Sequence, residues 1–385
     1  MESSSNRTTS RVGWIVFGVL FAILLIAAFT DRRRGWDTLL PGEATVLMQA
    51  ESLVHDRDLQ YTRLDFDRHS VTRPSLPPDL ALATGSAGRE ITFDHPVLHA
   101  IAVAPFVGWR SIGGHALGHA VLLALAAGFA AWRLRMRVGF AAPVVVTSLV
   151  FATSAFAHVF LATSGLWSFV AALVAASLLI ENDTSDDPTS TRRGDRRWWW
   201  AGSLLALAAV AEPTSLALVA AAWMVAPTGR ARVGRRLGLV FGLLAGLAVQ
   251  AVLFWWVGGG LGVFGTERFR FRTTTGFPLV DFPSTEWSEQ LRVLSATVFD
   301  GAPRLAWGFD GALWGWNLVD LLVGRHAGLL IYAVPIVVVW FAGSRRGRRA
   351  WAVGATLWAV AVMVFHPFDL ADGPTVASAR ALPLV

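Results

Sequence analysis

Residues 198–226 read WWWAGSLLALAAVAEPTSLALVAAAWMVA, an apolar block of 29 residues. Arg192, Arg193, Arg196 and Arg197 precede it; Arg230, Arg232, Arg235 and Arg236 follow it. One helix through the block would leave these clusters on opposite sides of a membrane. Two short helices would keep both on the cytoplasmic side, where arginines in short loops collect. Glu212-Pro213 stands at the midpoint, and proline interrupts a helix by removing a donor and restricting the residue before it. The block therefore reads as a hairpin, with Glu212 near its outer apex.

The same rule extends outward along the chain. Arg133, Arg135 and Arg137 form another cluster, and Arg345, Arg346, Arg348 and Arg349 a fourth. Even numbers of crossings must separate them. Residues 139–180 hold two helices turning near Thr163-Ser164-Gly165, and single helices fit 12–30, 114–132, 237–257, 322–343 and 350–366. The expectation is an all-α polytopic membrane protein of about nine helices, each near the length a bilayer requires. Residues 1–385 form a single transmembrane domain with the N-terminus cytoplasmic. Two extracytoplasmic loops cover 31–113 and 258–320, and 181–197 forms a polar cytoplasmic loop. Arg32, Arg33 and Arg34 lie on the outer end of the first helix, against the rule, and read either as snorkelling anchors or as a phosphate contact.

Composition agrees. The chain is 54% hydrophobic and 16% charged, well below the ~25% charged residues of soluble domains. All 33 basic residues are arginine. A net charge of +6 and pI ≈ 11.0 would suggest nucleic acid in a soluble protein. Here the arginines fall between apolar blocks, so nucleic acid is not an expected partner. Without cysteine, disulfides, thiolate metal sites and cysteine nucleophiles are excluded. Tryptophans at 198–200 and 255–256 suit interfacial anchoring.

Chemistry-bearing residues concentrate in the first outer loop, which holds eleven acids. Within PGEATVLMQAESLVHDRDL (41–59), Glu43 to Leu53 is helix-compatible, with Val46, Leu47, Ala50, Leu53 and Val54 on one side, as for a helix on the membrane surface. Glu43 is either a first-turn acid favoured by the helix dipole or a catalytic carboxylate. In REITFDHPVLHAIAVAPFVGW (89–109), Asp94 and His95 precede Pro96 and a second apolar segment. Asp94 is either an ordinary cap or a general base toward an acceptor hydroxyl. Glu212 is either a helix-start acid or a substrate-site group. His115 and His119 share a helix face, but spacing provides no third ligand, so no metal site is assigned.

The stretch GEATVLMQAESLVHDRDL resembles the first-loop signature of GT-C-type, protein-mannosyltransferase-like glycosyltransferases that use polyprenyl-phosphate sugars. It matches at Glu43, Leu47, Ala50, Ser52, Leu53, Asp56, Asp58 and Leu59. DHPVLHAIAVAPFVGW (94–109) is similar to the family's x-H-P-x-L-x-x-x-x-A-P segment. WNLVDLLVGRHAGLLIYAVP (316–335) resembles a G-R-containing segment of related polytopic proteins, and DGPTVASARALPLV (372–385) a late outer-loop segment that aligns Arg380 with the family's arginine. Gly42 stands where the family has its catalytic aspartate, and Ala44-Thr45-Val46 replaces Pro-His-Tyr. The family continues with further helices after its late arginine, so a shortened C-terminus is implied.

The resemblance implies a membrane glycosyltransferase whose partners are a polyprenyl-phosphate-linked sugar and membrane lipid. Glu43 or Asp94 would act on the acceptor, with His95, Arg325, His326, Arg380 and Glu212 at the substrate. A divalent metal at the carboxylates is possible, with no ligand set to support one. Two other readings stand: a non-catalytic relative that binds the lipid carrier, motivated by Gly42, and a transporter, for which the broken helix at Glu212-Pro213 speaks and the long outer loops do not.

Overall fold

The computed structural model describes residues 2–30, 43–72, 80–84, 91–110, 112–151, 154–179, 189–211, 215–225, 231–256 and 268–271, with 353, 356 and 357. Helices dominate. Among the described residues, three are long and apolar enough to cross a membrane: Gly13–Thr30 within α1 (Glu2–Thr30), Gly113–Arg135 within α5 (Ile112–Val138) and Val233–Trp256 within α10 (Ala231–Trp256). At about 1.5 Å per residue, even the shortest spans about the hydrocarbon thickness. The helices expected at 322–343 and 350–366 lie almost wholly outside the described residues, and with them the expected total of nine.

Exposure along these helices follows the logic of lipid rather than water. Ile15, Val19, Ile23 and Ile26 of α1 are exposed, as are Leu237, Phe241, Leu244 and Val252 of α10. Apolar side chains lose nothing against acyl chains, while the helix satisfies its own backbone groups. The opposite face of α1 buries Phe21, Leu24 and Ala28 against Ala120, Leu123, Ala127 and Ala131 of α5 and Val146 and Val150 of α6 (Ala142–Phe151). Alanine dominates this seam because close backbone approach is what stabilises helix pairs in lipid.

Between α6 and α7 (Gly165–Leu179) the chain forms a 3₁₀ turn, Ser154–Val159, and residues 160–164 complete the link. Residues 139–180 thus contain two helices, as expected, but α6 and α7 are shorter apolar helices of 10 and 15 residues. The break expected in 198–226 falls at 212–214, outside the described residues; α8 (Thr189–Ala211) precedes it, and Ser215, in a 3₁₀ turn, leads into α9 (Leu216–Val225). Ala222 of α9 joins one core with Ala175 of α7, Trp198, Ala201 and Leu205 of α8 and Leu239 of α10. Helices α8 and α10 touch backbone to backbone. A Cβ at Gly202 would overlap the Leu239 carbonyl, and one at Gly242 the Trp199 carbonyl. Ser203 Oγ adds a 2.9 Å bond to the Gly242 carbonyl. Trp198 is therefore a core residue at 2% exposure, whereas Trp200, Trp255 and Trp256 are exposed. Arg133, expected in a solvated basic loop, is buried; its Nε donates to the Ser177 carbonyl at 3.3 Å, in the last turn of α7, where a cation complements the helix dipole.

The segment between α1 and α5 folds into a compact layer: α2 (Glu43–His55), α3 (Arg63–Thr72), β1 (Leu80–Thr84), β2 (Ile91–Phe93) and α4 (Val97–Arg110). An antiparallel sheet in the order β2-β1-β3 includes β3 (Arg268–Phe271), so the segments expected as two separate loops pair directly. The short strands were not expected. Every residue of α2 from Glu43 to Ser52 is buried, so it is not a surface helix with one apolar side. Its polar groups are spent inside the layer: Thr45 Oγ1 accepts the Ala81 N–H at 2.8 Å. Ala44, Leu47 and Met48 pack with Leu80, Leu82, Phe93 and Ala162, which fixes the layer onto the α6–α7 link. At its other end, the Arg110 guanidinium lies over the Phe29 ring at 3.9 Å and donates to the Phe29 carbonyl, tying α4 to the end of α1.

Candidate functional site at the helix ends

Glu43 is the first residue of α2 and is completely buried. Its Oε1 accepts the Ala162 N–H at 2.6 Å, a short charge-assisted bond linking the layer to the α6–α7 link. Asp94 and His95 are half-buried and follow β2. The Asp94 N–H donates to the Ala81 carbonyl at 3.0 Å, and the His95 carbonyl accepts Gln49 Nε2 at 3.1 Å. That second bond joins the middle of α2 to the Asp94-His95 turn. Helix α4 opens on Pro96, whose carbonyl accepts the His99 N–H at 3.1 Å. Asp94 thus stands two residues ahead of Pro96, the residue that precedes α4.

The acids that carried the motif have local partners. Ser52 Oγ donates to Asp58 Oδ1 at 3.0 Å, and the Gln60 N–H donates to the same oxygen at 3.1 Å. Arg68 Nη2 meets both Asp56 oxygens at 2.7 Å, and its Nη1 meets Asp65 at 3.2 Å. Asp65 also accepts the Thr62 N–H and hydroxyl, at 2.8 and 3.0 Å. Burial nevertheless pushes its carboxyl up to about 6, with Asp56 adding to the rise and the Thr62 bonds and Arg68 opposing it. The Tyr61 phenol is raised by burial and then by Asp65. Helix α2 ends with the Asp56 and Arg57 N–H groups on the Ser52 carbonyl and with Arg57 at φ 61, the left-handed exit that glycine usually occupies.

Spacing missed one group. His99 of α4 meets His115 and His119 of α5, all three at 3% exposure or less, with one nitrogen of each within 4.8 Å of the others. His99 Nε2 and His119 Nε2 are 2.9 Å apart. The α4–α5 hairpin explains the encounter, since a single residue separates the helices. A Cβ at Gly114 would overlap the Phe106 carbonyl, and one at Gly118 would lie 3.0 Å from the Phe106 ring and 3.3 Å from Val103. Two glycines four apart let the helices close, and the histidine following each reaches the other side. The signal was G-H-A-L-G-H (114–119), read against the helix before it.

Glu212, Arg325, His326 and Arg380 lie outside the described residues. Arg268 and Arg270 belong to β3.

No family model and no curated protein matches the sequence. Among solved structures, the chain is similar to the crystal structure of the Archaeoglobus fulgidus oligosaccharyltransferase in complex with zinc and sulfate, at 14% identity and a TM-score of 0.45. The match covers 96% of this chain and 48% of that one, so this chain spans about half the length of the archaeal protein.

Proposed function

We propose that this chain is a GT-C-like glycosyltransferase of the cell membrane, with its N-terminus cytoplasmic, that moves a sugar from a polyprenyl-phosphate donor to an acceptor outside the cytoplasm or in the lipid. The observation that carries the reading is the folded layer at the helix ends. Glu43 opens α2 in that layer, Asp94-His95 precedes α4, and the Gln49–His95 bond joins the two. Carboxylates on a rigid layer at the membrane boundary suit a donor whose lipid stays in the bilayer while its sugar lies outside.

In this reading the acceptor hydroxyl oxygen attacks the anomeric carbon and the carbon–oxygen bond to phosphate breaks. The acceptor proton passes to Glu43 or Asp94 as general base. Polyprenyl phosphate leaves as an anion held by Arg325, His326 and Arg380, while His95 and Glu212 orient the sugar. The test is transfer from a radiolabelled polyprenyl-phosphate sugar by purified protein. Replacing the base, by Asp94→Asn or Glu43→Gln, lowers the rate by about 10²–10⁴-fold. Wild-type rates in the double variant refute the assignment.

A second reading, a lipid-carrier binder without transfer activity, is favoured by Gly42 and by the complete burial of Glu43 on a backbone N–H. It expects polyprenyl phosphate binding with no transfer in the wild type, and transfer gained in Gly42→Asp.

A further inference from the structure

We infer that His99, His115 and His119 form a binding site for a divalent transition-metal ion of the zinc class, clamping α4 to α5. The inference does not rest on the transferase reading. Three imidazoles from two helices converge with nitrogens inside 4.8 Å, all essentially closed to solvent. Tetrahedral zinc, with bonds of about 2.0–2.1 Å, holds its ligand nitrogens about 3.3 Å apart. The observed 2.9 Å between His99 and His119 and the 4.8 Å bound bracket that value, so small ring rotations suffice. Ring centroids 4.3–5.4 Å apart are consistent with nitrogens turned toward a common point.

Hydrogen bonding alone leaves His99 and His119 poorly served. His99 Nδ1 is buried and has no hydrogen-bond partner among the described residues, a costly condition for a polar atom. His119 Nδ1 is likewise buried with no hydrogen-bond partner among the described residues. The ligand chemistry selects the ion. Imidazole nitrogens suit zinc, copper, nickel and cobalt, whereas magnesium and calcium take oxygen ligands. The group includes no carboxylate, so the bound ion keeps its double positive charge. A low-dielectric setting then favours an anion, such as hydroxide or a phosphate oxygen, in the fourth position.

The test uses the full-length protein in detergent, loaded with Zn²⁺ or Co²⁺ and freed of loose ions by gel filtration. One equivalent of metal is expected, with X-ray absorption showing nitrogen scatterers at about 2.0–2.1 Å and imidazole outer-shell features. His99→Ala, His115→Ala and His119→Ala each lose the metal while remaining monodisperse; the exposed His55→Gln retains it. Should the alanine variants aggregate, the wild-type absorption spectrum decides alone. A monodisperse wild type that retains no metal, or whose bound metal has oxygen-only ligands, overturns the inference. So do folded trio variants that retain a full equivalent.

Discussion

Replacing Glu43 separates its structural from its chemical role. Its Oε1 lies 2.6 Å from the Ala162 N–H, and the side chain is completely buried. Glu43→Ala strands that N–H, at about 1–3 kcal/mol, and deletes one buried methylene worth about 0.8 kcal/mol. The combined loss is about 2–4 kcal/mol. Glu43→Gln keeps a carbonyl oxygen able to accept the same N–H and preserves the volume, losing about 1 kcal/mol through the weaker neutral bond. Thermal unfolding of purified protein in one detergent, read at both α2 and the α6–α7 link by hydrogen exchange, should show an alanine effect at least twice that of glutamine. Equal losses would refute the account, because the Ala162 bond would then not be what holds the layer to the link. Activity completes the experiment. A glutamine variant that is stable yet inactive assigns chemistry to the carboxylate; one that is stable and active leaves Asp94 as the base.

Two further outcomes follow from the same layer. Asp65 titrates near 6 when folded, against 3.8 as the reference; the native state therefore binds its proton more tightly, and this contribution is present below pH ~4 and lost as pH rises through about 6, by at most about 3 kcal/mol. Protection of residues 62–72 from exchange should fall between pH 4 and 7 in the wild type, and the Asp65→Asn variant should show a flatter profile. Arg57→Gly relieves the left-handed φ of 61 at the end of α2 and should raise the stability of the layer by about 0.5–1 kcal/mol, net of the extra freedom glycine has when unfolded; a loss measured by denaturant unfolding would mean that the Arg57 side chain contributes more than its backbone costs.

Much of this protein was legible in its residue order, because the bilayer imposes local rules. Eighteen or more apolar residues make a spanning helix whatever surrounds them, so the helices beginning α1, α5 and α10 could be read directly. The break expected at Glu212-Pro213 is an equally local reading, since proline acts on its own turn, although it lies outside the described residues. Helix α2 was readable as a helix, yet not as one buried on every side. Burial depends on what arrives from elsewhere, here the strand pair at 80–93 and Ala162 from the α6–α7 link. The same reason hid the partner of Glu43, which lies 119 residues away, and the pairing of β1 with β3. It also hid His99. His115 and His119 announced themselves by their spacing on one helix, but a third ligand had to come from another. Only the close α4–α5 approach, permitted by Gly114 and Gly118, brings the three imidazoles together. Helix length, polarity and break points are properties of consecutive residues. Sites are made where segments distant along the chain converge, and packing alone decides that.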